Sequence, residues 1–452
     1  MKKKRFVLST TQIIMMSFLL AIFAGSLLLT LPLSSADGKS VDYIDALFTA
    51  TTSVCVTGLV TTPTFSTWSI FGQIVILLLI QIGGLGIITV MSMIMIMLRK
   101  KIGIGDRLLI QDAFNLSSLS GIVRFVRKVV LGTLIVECVG ALCYMTVFIP
   151  QFGLRGIWIS VFNSVSAFCN AGIDIISADS LCKYATNPII NIVTCLLIIL
   201  GGIGYIVWWD IIRVMKNVKR QGKNIFKSLT LHSKIALSMT MFLIVAGAFM
   251  FFVLEYNNPM TMKGLSFADK VQLSLFQSVT TRTAGFATLP QQNFTDASSF
   301  ISLLLMFIGG SPVGTAGGIK TVTLAVLIVT ARSAIRNRHE VNIFNRNLSK
   351  QAVVKAIAVA GVSFVTVFVS TILLSAVTDA GALDILYETV SAAATVGLTR
   401  NLTPFLNIWG KLIIIATMYL GRIGPISLAV AFALKKKNEN IIKNPTEEIS
   451  VG

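Results

Sequence analysis

Four stretches of the chain share one pattern: FTATTSVCVTGL at 48–59, FNSVSAFCNAGI at 162–173, LFQSVTTRTAGF at 275–286 and YETVSAAATVGL at 387–398. Each begins with a large apolar residue, continues through small and hydroxyl-bearing residues, and reaches a glycine followed by Leu, Ile or Phe. The four glycines are 114, 113 and 112 residues apart. Self-similarity at a nearly constant period indicates an internal repeat, so the sequence predicts one structural unit that occurs four times.

The segments on either side of these stretches are apolar enough to cross a bilayer. A spanning helix needs roughly 20 apolar residues, and eight candidate spans lie at 11–36, 68–98, 129–154, 184–209, 235–254, 297–319, 356–378 and 412–434. Charged residues make up only 13% of the chain, against about 25% in soluble domains. We therefore predict an all-α membrane protein with eight transmembrane helices and four short re-entrant helices between them.

The predicted unit is a helix, a short re-entrant helix, a glycine loop and a second helix. Its four copies are expected at 11–101, 124–216, 230–336 and 351–434, with pseudo-fourfold symmetry around one pore and a cytoplasmic tail at 435–452. A break rich in small residues recurs in the second helix of each unit, as QIGGLG (81–86), LGGIGY (200–205), IGGSPVG (308–314) and LGRIGP (420–425).

The net charge of +19 has two possible explanations. Nucleic-acid binding would require a basic soluble face, whereas the positive-inside rule places Lys and Arg in cytoplasmic loops. Basic residues cluster in alternate connections, and the opposite connections around 37–67, 151–183, 255–296 and 379–411 hold only eight of them. We expect a multi-pass protein of the cell membrane with both termini in the cytoplasm and no nucleic-acid partner.

Acidic residues near the start of several short stretches predict helix N-termini on the outer side, since acids there complement the helix dipole. They are Asp42, Asp45, Asp269, Asp384 and Glu388. Ser266 and Asp269 are additionally spaced as a capping box. Each short helix would then direct its partly negative C-terminus inward, toward its glycine loop, where a cation is favoured.

Irregular backbone at membrane depth is tolerated where it lines a water-filled path, and rings of carbonyls can replace the hydration shell of K+. The alternative use of each glycine is close helix packing. We expect four loops to form a K+ filter, and the residues assigned to it are Val56, Thr57, Gly58, Asn170, Ala171, Gly172, Thr283, Ala284, Gly285, Thr395, Val396 and Gly397.

These motifs, together with IDALFTA at 44–50, TRTAGF at 281–286 and LGRIGP at 420–425, resemble the Trk/Ktr/HKT superfamily, and most of all its KtrB-type membrane subunits. The resemblance implies K+ uptake, often stimulated by Na+, and a homodimer with one pore per subunit. It also implies a cytoplasmic octameric KtrA-type ring that binds ATP, ADP or c-di-AMP. Glycine at position 58 favours K+ over Na+, because related plant proteins that transport Na+ have serine there.

Five glycines and a proline between 309 and 318 cannot hold a regular helix. One interpretation of this stretch is a helix kink that serves only packing. The resemblance implies instead an intramembrane loop that gates the path below the filter. The residues assigned to this gate are Gly309, Gly310, Ser311, Pro312, Gly314, Thr315, Gly317, Gly318, Lys320 and Arg422. KtrB-type proteins usually lack a proline here, so Pro312 is expected to stiffen the loop.

Three basic residues are expected near this path. Arg422 interrupts a predicted span, where a charge is costly and usually functional. We expect it to face the pore beside the loop, although a packing role against a carbonyl or Glu137 is the alternative. Lys320 could reach the pore or the cytoplasmic interface. Arg282, beside the third filter loop, should be held aside by an acid.

Two other functions are alternatives to a K+ pathway. A secondary transporter with a midplane site usually shows two inverted repeats, whereas all four loops here are predicted to enter from one side. A Na+-selective pathway is a second alternative. The sequence contains no HExxH, GxSxG or phosphate-binding-loop motif, so we predict no enzyme, and nucleotides should act only through a partner.

Overall fold

The computed structural model describes residues 10–98, 103–113, 121–216, 225–338 and 340–424. The expected tail at 435–452 and the end of the fourth predicted unit lie outside this part of the chain. The described residues are helical apart from turns, loops and one antiparallel hairpin of β1 (Asn342–Ile343) and β2 (Arg346–Asn347).

The helices in chain order are α1 (Thr10–Thr30), α2 (Tyr43–Cys55), α3 (Thr64–Thr67), α4 (Ile70–Leu85), α5 (Ile87–Met97), α6 (Ile104–Ala113), α7 (Ile122–Phe152), α8 (Arg155–Cys169), α9 (Pro188–Gly202), α10 (Tyr205–Lys216), α11 (Ile225–Ser228), α12 (Leu231–Glu255), α13 (Phe267–Thr280), α14 (Asp296–Phe307), α15 (Thr321–Ile335), α16 (Lys350–Ser375), α17 (Ala382–Ala394) and α18 (Ile408–Ile423).

Four helices, α1, α7, α12 and α16, are each long and apolar enough to cross a membrane. The pairs α4–α5 and α9–α10 satisfy the same test together, but they bend by 99° and 96° at a short break. Each break contains a glycine with positive φ, Gly86 in the first and Gly204 in the second. Small residues therefore interrupt these helices near the sites that the sequence predicted.

The helix expected to be broken at 309–318 is broken. The short apolar helices α14 and α15 are separated by a non-helical segment, residues 308–320, which we call the intramembrane loop after the location that the sequence predicts for it. The prediction that this glycine-rich stretch cannot be helical is confirmed, because glycine loses much backbone entropy in a helix and proline removes a helical hydrogen bond.

The four short helices α2, α8, α13 and α17 pack in a cyclic arrangement. Each contacts the long helix that precedes it in the chain, in the pairs α1–α2, α7–α8, α12–α13 and α16–α17. Each also contacts a helix from the neighbouring part of the chain, in the pairs α4–α8, α9–α13, α14–α17 and α18–α2. The last pair brings the two ends of the described chain together, so the four short helices surround one centre.

Side-chain caps start the helices that lead away from this centre. Ser69, Asn187, Thr295 and Asn407 occupy the N-cap positions of α4, α9, α14 and α18 and accept hydrogen bonds from main-chain N–H groups of the first turn. Such caps satisfy donors that have no partner within the helix. A side-chain oxygen, from a hydroxyl in two cases and from an amide in the other two, therefore caps the corresponding helix at all four places.

The predicted N-termini of the short helices are mostly as expected. Ser266 caps α13 by accepting from the N–H of Asp269, so the serine half of the predicted capping box is confirmed, while the Asp269 carboxylate accepts from the Ser266 hydroxyl at 2.6 Å. Asp45, Asp269 and Asp384 lie in first turns. Glu388 does not: it lies within α17 and is fully buried. Its interpretation as a helix-opening acid is wrong, because its carboxylate is used by hydroxyl groups of a later loop.

Candidate ion pathway

Each short helix ends in a loop with two residues of positive φ. The first is not glycine: Val56, Asn170, Thr283 and Thr395 have φ values of 55°, 60°, 66° and 53°. The second is Gly58, Gly172, Gly285 or Gly397, with φ of 100°, 66°, 80° and 97°. A β-branched residue in this region costs on the order of 1–3 kcal/mol and persists only where its surroundings enforce it.

A hydroxyl group from the short helix braces each loop, at a residue five or six positions before the glycine. In two loops the hydroxyl accepts from the glycine N–H, Gly58 to Thr52 (2.9 Å) and Gly397 to Ser391 (3.0 Å). In the other two it donates to the carbonyl after the glycine, Ser166 to Ile173 (2.5 Å) and Thr280 to Phe286 (2.6 Å). Sequence reasoning missed these four residues, although the hydroxyl at this spacing was visible.

The four glycines form a closed ring. A Cβ atom added to any of them would come within 3.0 Å of main-chain oxygen in the next loop. The oxygens concerned are those of Ala171 at Gly58, Ala284 at Gly172, Val396 at Gly285 and Thr57 at Gly397. Only glycine fits at this approach distance. The structure thus brings together all four loops that the sequence assigned to the filter.

The two ends of the intramembrane loop lie close together and are joined by hydrogen bonds, and we call these joined ends the neck. The Gly309 N–H donates to the Ile319 carbonyl (3.0 Å), and the Ile319 N–H donates to the Phe307 carbonyl (3.1 Å). Across the same neck, the hydroxyls of Ser311 and Thr321 are 2.9 Å apart. The ends of the loop are therefore held together independently of what its middle contacts.

The middle of the loop is held against the break between α9 and α10. The N–H groups of Ser311 and Thr315 donate to the carbonyls of Gly202 (2.8 Å) and Gly201 (3.1 Å). In return, the Tyr205 N–H donates to the Val313 carbonyl (3.0 Å). The intramembrane loop and the break between α9 and α10 thus hydrogen-bond to each other's main-chain groups, because buried non-helical backbone needs such partners.

The loop also contacts three of the four glycine loops. The Thr315 hydroxyl donates to the Phe168 carbonyl (3.1 Å), at the end of α8. The Gly317 N–H donates to the Thr283 hydroxyl (3.2 Å). A Cβ on Gly317 would collide with the side chain of Thr395. The residues that the sequence assigned to the gate and those that it assigned to the filter therefore lie next to one another.

Two basic side chains, those of Arg422 and Lys320, bind main-chain carbonyls of the intramembrane loop. Arg422 donates from Nη1 to the Thr315 carbonyl (2.7 Å) and from Nη2 to the Gly83 carbonyl of α4. Lys320 donates from Nζ to the carbonyls of Ala316 (2.6 Å) and Gly317 (3.2 Å). Arg422 thus contacts carbonyls of the loop and of α4.

The expectation that an acid holds Arg282 aside is wrong for the described part of the chain. Its Nη2 instead lies 3.4 Å from the Thr240 hydroxyl and 3.5 Å from the Gly309 carbonyl. The buried carboxylate of Glu137 interacts elsewhere, accepting from Gln81 Nε2 at 3.2 Å. Neutral oxygens therefore take the place of the acid that sequence reasoning expected beside Arg282.

A protein-family model described as "TrkH: Cation transport protein" matches residues 2–444. The chain belongs to the TrkH family. This is a family of transport proteins rather than of enzymes, and the match extends over all four glycine loops and the intramembrane loop.

Several curated members of the TrkH family are similar over their whole length. The chain is 39% identical to the Ktr system potassium uptake protein B of Bacillus subtilis, covering 98% of this chain and 96% of that protein. It is 38% identical to the potassium/sodium uptake protein NtpJ of Enterococcus hirae, covering 100% and 99%. The crystal structure of the potassium transporter TrkH from Vibrio parahaemolyticus, at 17% identity, shares the fold with a TM-score of 0.75 over 96% of this chain and 87% of that one.

Proposed function

We propose that this chain is the K+-translocating subunit of an uptake system in the cell membrane. The observation that carries the proposal is the closed ring of glycine loops around Gly58, Gly172, Gly285 and Gly397. The names of the Bacillus and Enterococcus relatives, which both refer to potassium uptake, support the same ion. The four units at 11–101, 124–216, 230–336 and 351–434 would then surround one pore with pseudo-fourfold symmetry.

Selection would occur at the main-chain carbonyls of the twelve filter residues. The first and third residues of each loop have positive φ, which would turn successive carbonyls toward one side of the chain, and a ring of such carbonyls can replace the water around K+. The C-termini of four short helices point at the same place and contribute partial negative charge. No side-chain carboxylate is needed to bind the ion.

Opening would require the intramembrane loop to leave the underside of the ring. Its present contacts with Phe168, Thr283 and Arg422 support a closed position. The guanidinium of Arg422 would repel a cation that passed the filter while the loop is in place, because charges interact strongly where water is excluded. Pro312 would limit the number of conformations that the loop can adopt once it is released.

We assign regulation of pore opening to a partner protein. The relatives named as Ktr system proteins imply a system with more than one component. We propose a homodimer that docks on a cytoplasmic octameric KtrA-type ring, with ATP, ADP or c-di-AMP bound by the ring. Both termini would face this ring from the cytoplasm. Docking can open the pore only if the ring binds the open loop conformation more tightly than the closed one.

The test is cation uptake by the full-length chain in liposomes, measured separately for K+ and Na+. Na+ is the relevant competitor, because the NtpJ name covers both ions. Gly58→Ser introduces a Cβ against the Ala171 carbonyl and at a φ of 100°, so we expect a marked loss of K+ preference. An unchanged K+ to Na+ ratio in folded Gly58→Ser protein would exclude the ring as the filter.

A further inference from the structure

Two carboxylates of α17 lie one helical turn apart and both reach the segment that follows the fourth glycine loop. Residues four positions apart share one face of a helix, and Asp384 and Glu388 have this spacing. The segment that they contact, residues 399–403, begins two residues beyond Gly397. We call this segment the outer loop. The proposed function makes no use of either carboxylate.

Glu388 binds the two ends of the outer loop. Its Oε2 accepts from the Thr399 hydroxyl at 2.7 Å, and its Oε1 accepts from the Thr403 hydroxyl. Glu388 is fully buried, so loss of either hydroxyl contact would leave a buried polar group without that partner, which is costly. The Thr399 hydroxyl also accepts from the Leu402 N–H at 3.2 Å, so one carboxylate organises the whole turn.

Asp384 holds the middle of the same loop through Arg400. The Arg400 Nε donates to Asp384 Oδ1 at 2.6 Å, and its Nη1 donates to the Ser299 hydroxyl at 2.6 Å. The same nitrogen lies 3.4 Å from the Gln291 carbonyl. Arg400 thus joins α17 to α14, and it does so with a planar fork of donors that lysine does not possess.

Only part of this arrangement is particular to the fourth loop: Asp384 has a counterpart in Asp45 of α2, which binds Lys411 at 2.5 Å, whereas Glu388 has no acidic counterpart. The positions that correspond to Glu388 in the other three twelve-residue stretches are Thr49, Asn163 and Phe276, none of which carries a carboxylate. A filter whose four loops differ in their support need not deform equally.

We propose that Asp384 and Glu388 form a clamp on the outer loop that positions the fourth filter loop and so contributes to K+ over Na+ preference. This inference rests on the proposed function, because it presumes that Thr395–Gly397 line the ion path. The residues of the clamp are positioning residues: they act on the ion through the main chain between Gly397 and Thr403. A filter that fits K+ poorly loses discrimination before it loses conduction.

The test uses three mild substitutions in the full-length chain reconstituted in liposomes. Thr399→Val and Thr403→Val each remove one hydroxyl without changing side-chain size, and Arg400→Lys keeps the charge while losing the fork. We expect each to lower the K+ to Na+ uptake ratio by roughly threefold or more, the range of couplings between residues in contact. Glu388→Gln, which still accepts from one hydroxyl, should lose less than Glu388→Ala.

Thr371→Val is the matched control. It removes a 2.8 Å hydroxyl contact between α16 and Thr389 of the same short helix, and neither residue forms a hydrogen bond with the outer loop in the described part of the chain. Thermal unfolding shows whether each variant is folded. An unchanged uptake ratio in folded Thr399→Val and Arg400→Lys, or an equal loss in Thr371→Val, overturns the clamp. If Gly58→Ser also leaves the ratio unchanged, the proposed filter itself has failed.

Discussion

The hydroxyl of Thr315 offers the cleanest way to release the intramembrane loop without changing any charge. It donates to the Phe168 carbonyl at 3.1 Å and lies 3.3 Å from Asn170 Oδ1. Both partners belong to the second short helix and its glycine loop. Thr315→Val keeps the size and shape of the side chain and removes these contacts, whereas changing Arg422 would also alter the electrostatic field in the path.

The size of the effect follows from the contacts that are lost. A neutral buried hydrogen bond contributes about 0.5–1.5 kcal/mol, and the Thr315 hydroxyl has one hydrogen to donate to its two acceptors, so it stabilises the loop in place by about 0.5–1.5 kcal/mol. An energy of that size corresponds to about a 2- to 12-fold change in an equilibrium, since about 1.4 kcal/mol is tenfold. If the closed state dominates, the open fraction and the K+ flux should rise by a factor in this range.

The assay is K+ uptake into liposomes that contain the full-length chain without any partner. Thr417→Val serves as the control, since it removes a buried 2.8 Å hydroxyl contact with Ser370 in the fourth unit and does not touch the loop. Equal or lower flux in folded Thr315→Val than in the wild type would refute the closed-loop reasoning. A similar rise in Thr417→Val would show that any loss of a buried hydroxyl loosens the pore.

Three further outcomes are expected. Deletion of residues 311–316 should raise K+ flux with little loss of folded protein, because the main-chain bonds Gly309–Ile319 and Ile319–Phe307 that close the neck lie outside the deleted segment; lower or unchanged flux in folded protein would count against the loop as a barrier. ATP should raise flux only when the cytoplasmic ring is present, so binding of ATP by the chain alone would contradict the two-component scheme. Burial raises the pKa of Asp174, in the outer connection after the second glycine loop, to about 6. Its negative charge is therefore lost as pH falls through about 6, and K+ uptake at low K+ should decrease between about pH 7 and about pH 5. Asp174→Asn should show the low uptake at both pH values, and a wild-type pH response in that variant would exclude Asp174.

Local patterns were sufficient for some features of the site. The twelve-residue stretches identified the four glycines, because each copy has a glycine at the same position. The physical reason is that any other residue there would bring a Cβ atom into the main chain of the neighbouring loop. The composition of 309–318 showed that no helix could form there, since that outcome depends on the residues themselves. The serine cap of α13 was also predictable, because a capping contact spans only three residues.

Other features depended on contacts that no local pattern contains. Arg282 was expected beside an acid and lies near the Thr240 hydroxyl and the Gly309 carbonyl. Glu388 was interpreted from its position near a helix start, although its hydrogen-bond partners lie 11 and 15 residues further along the chain. In both cases the charge of the side chain was evident, while the groups that compensate for it were not.

The sequence by itself determined the fourfold recurrence, the apolar helices, and the positions where glycine interrupts them, because these follow from residue type and spacing. Only the tertiary structure decided that Val56, Asn170, Thr283 and Thr395 adopt left-handed backbone and that the glycine loops close into one ring. It alone also decided that Thr315 and Arg422 meet. The physical reason is that a strained backbone conformation and a buried polar contact are stable only when surrounding segments enforce them, and here those segments lie more than 100 residues away in the chain.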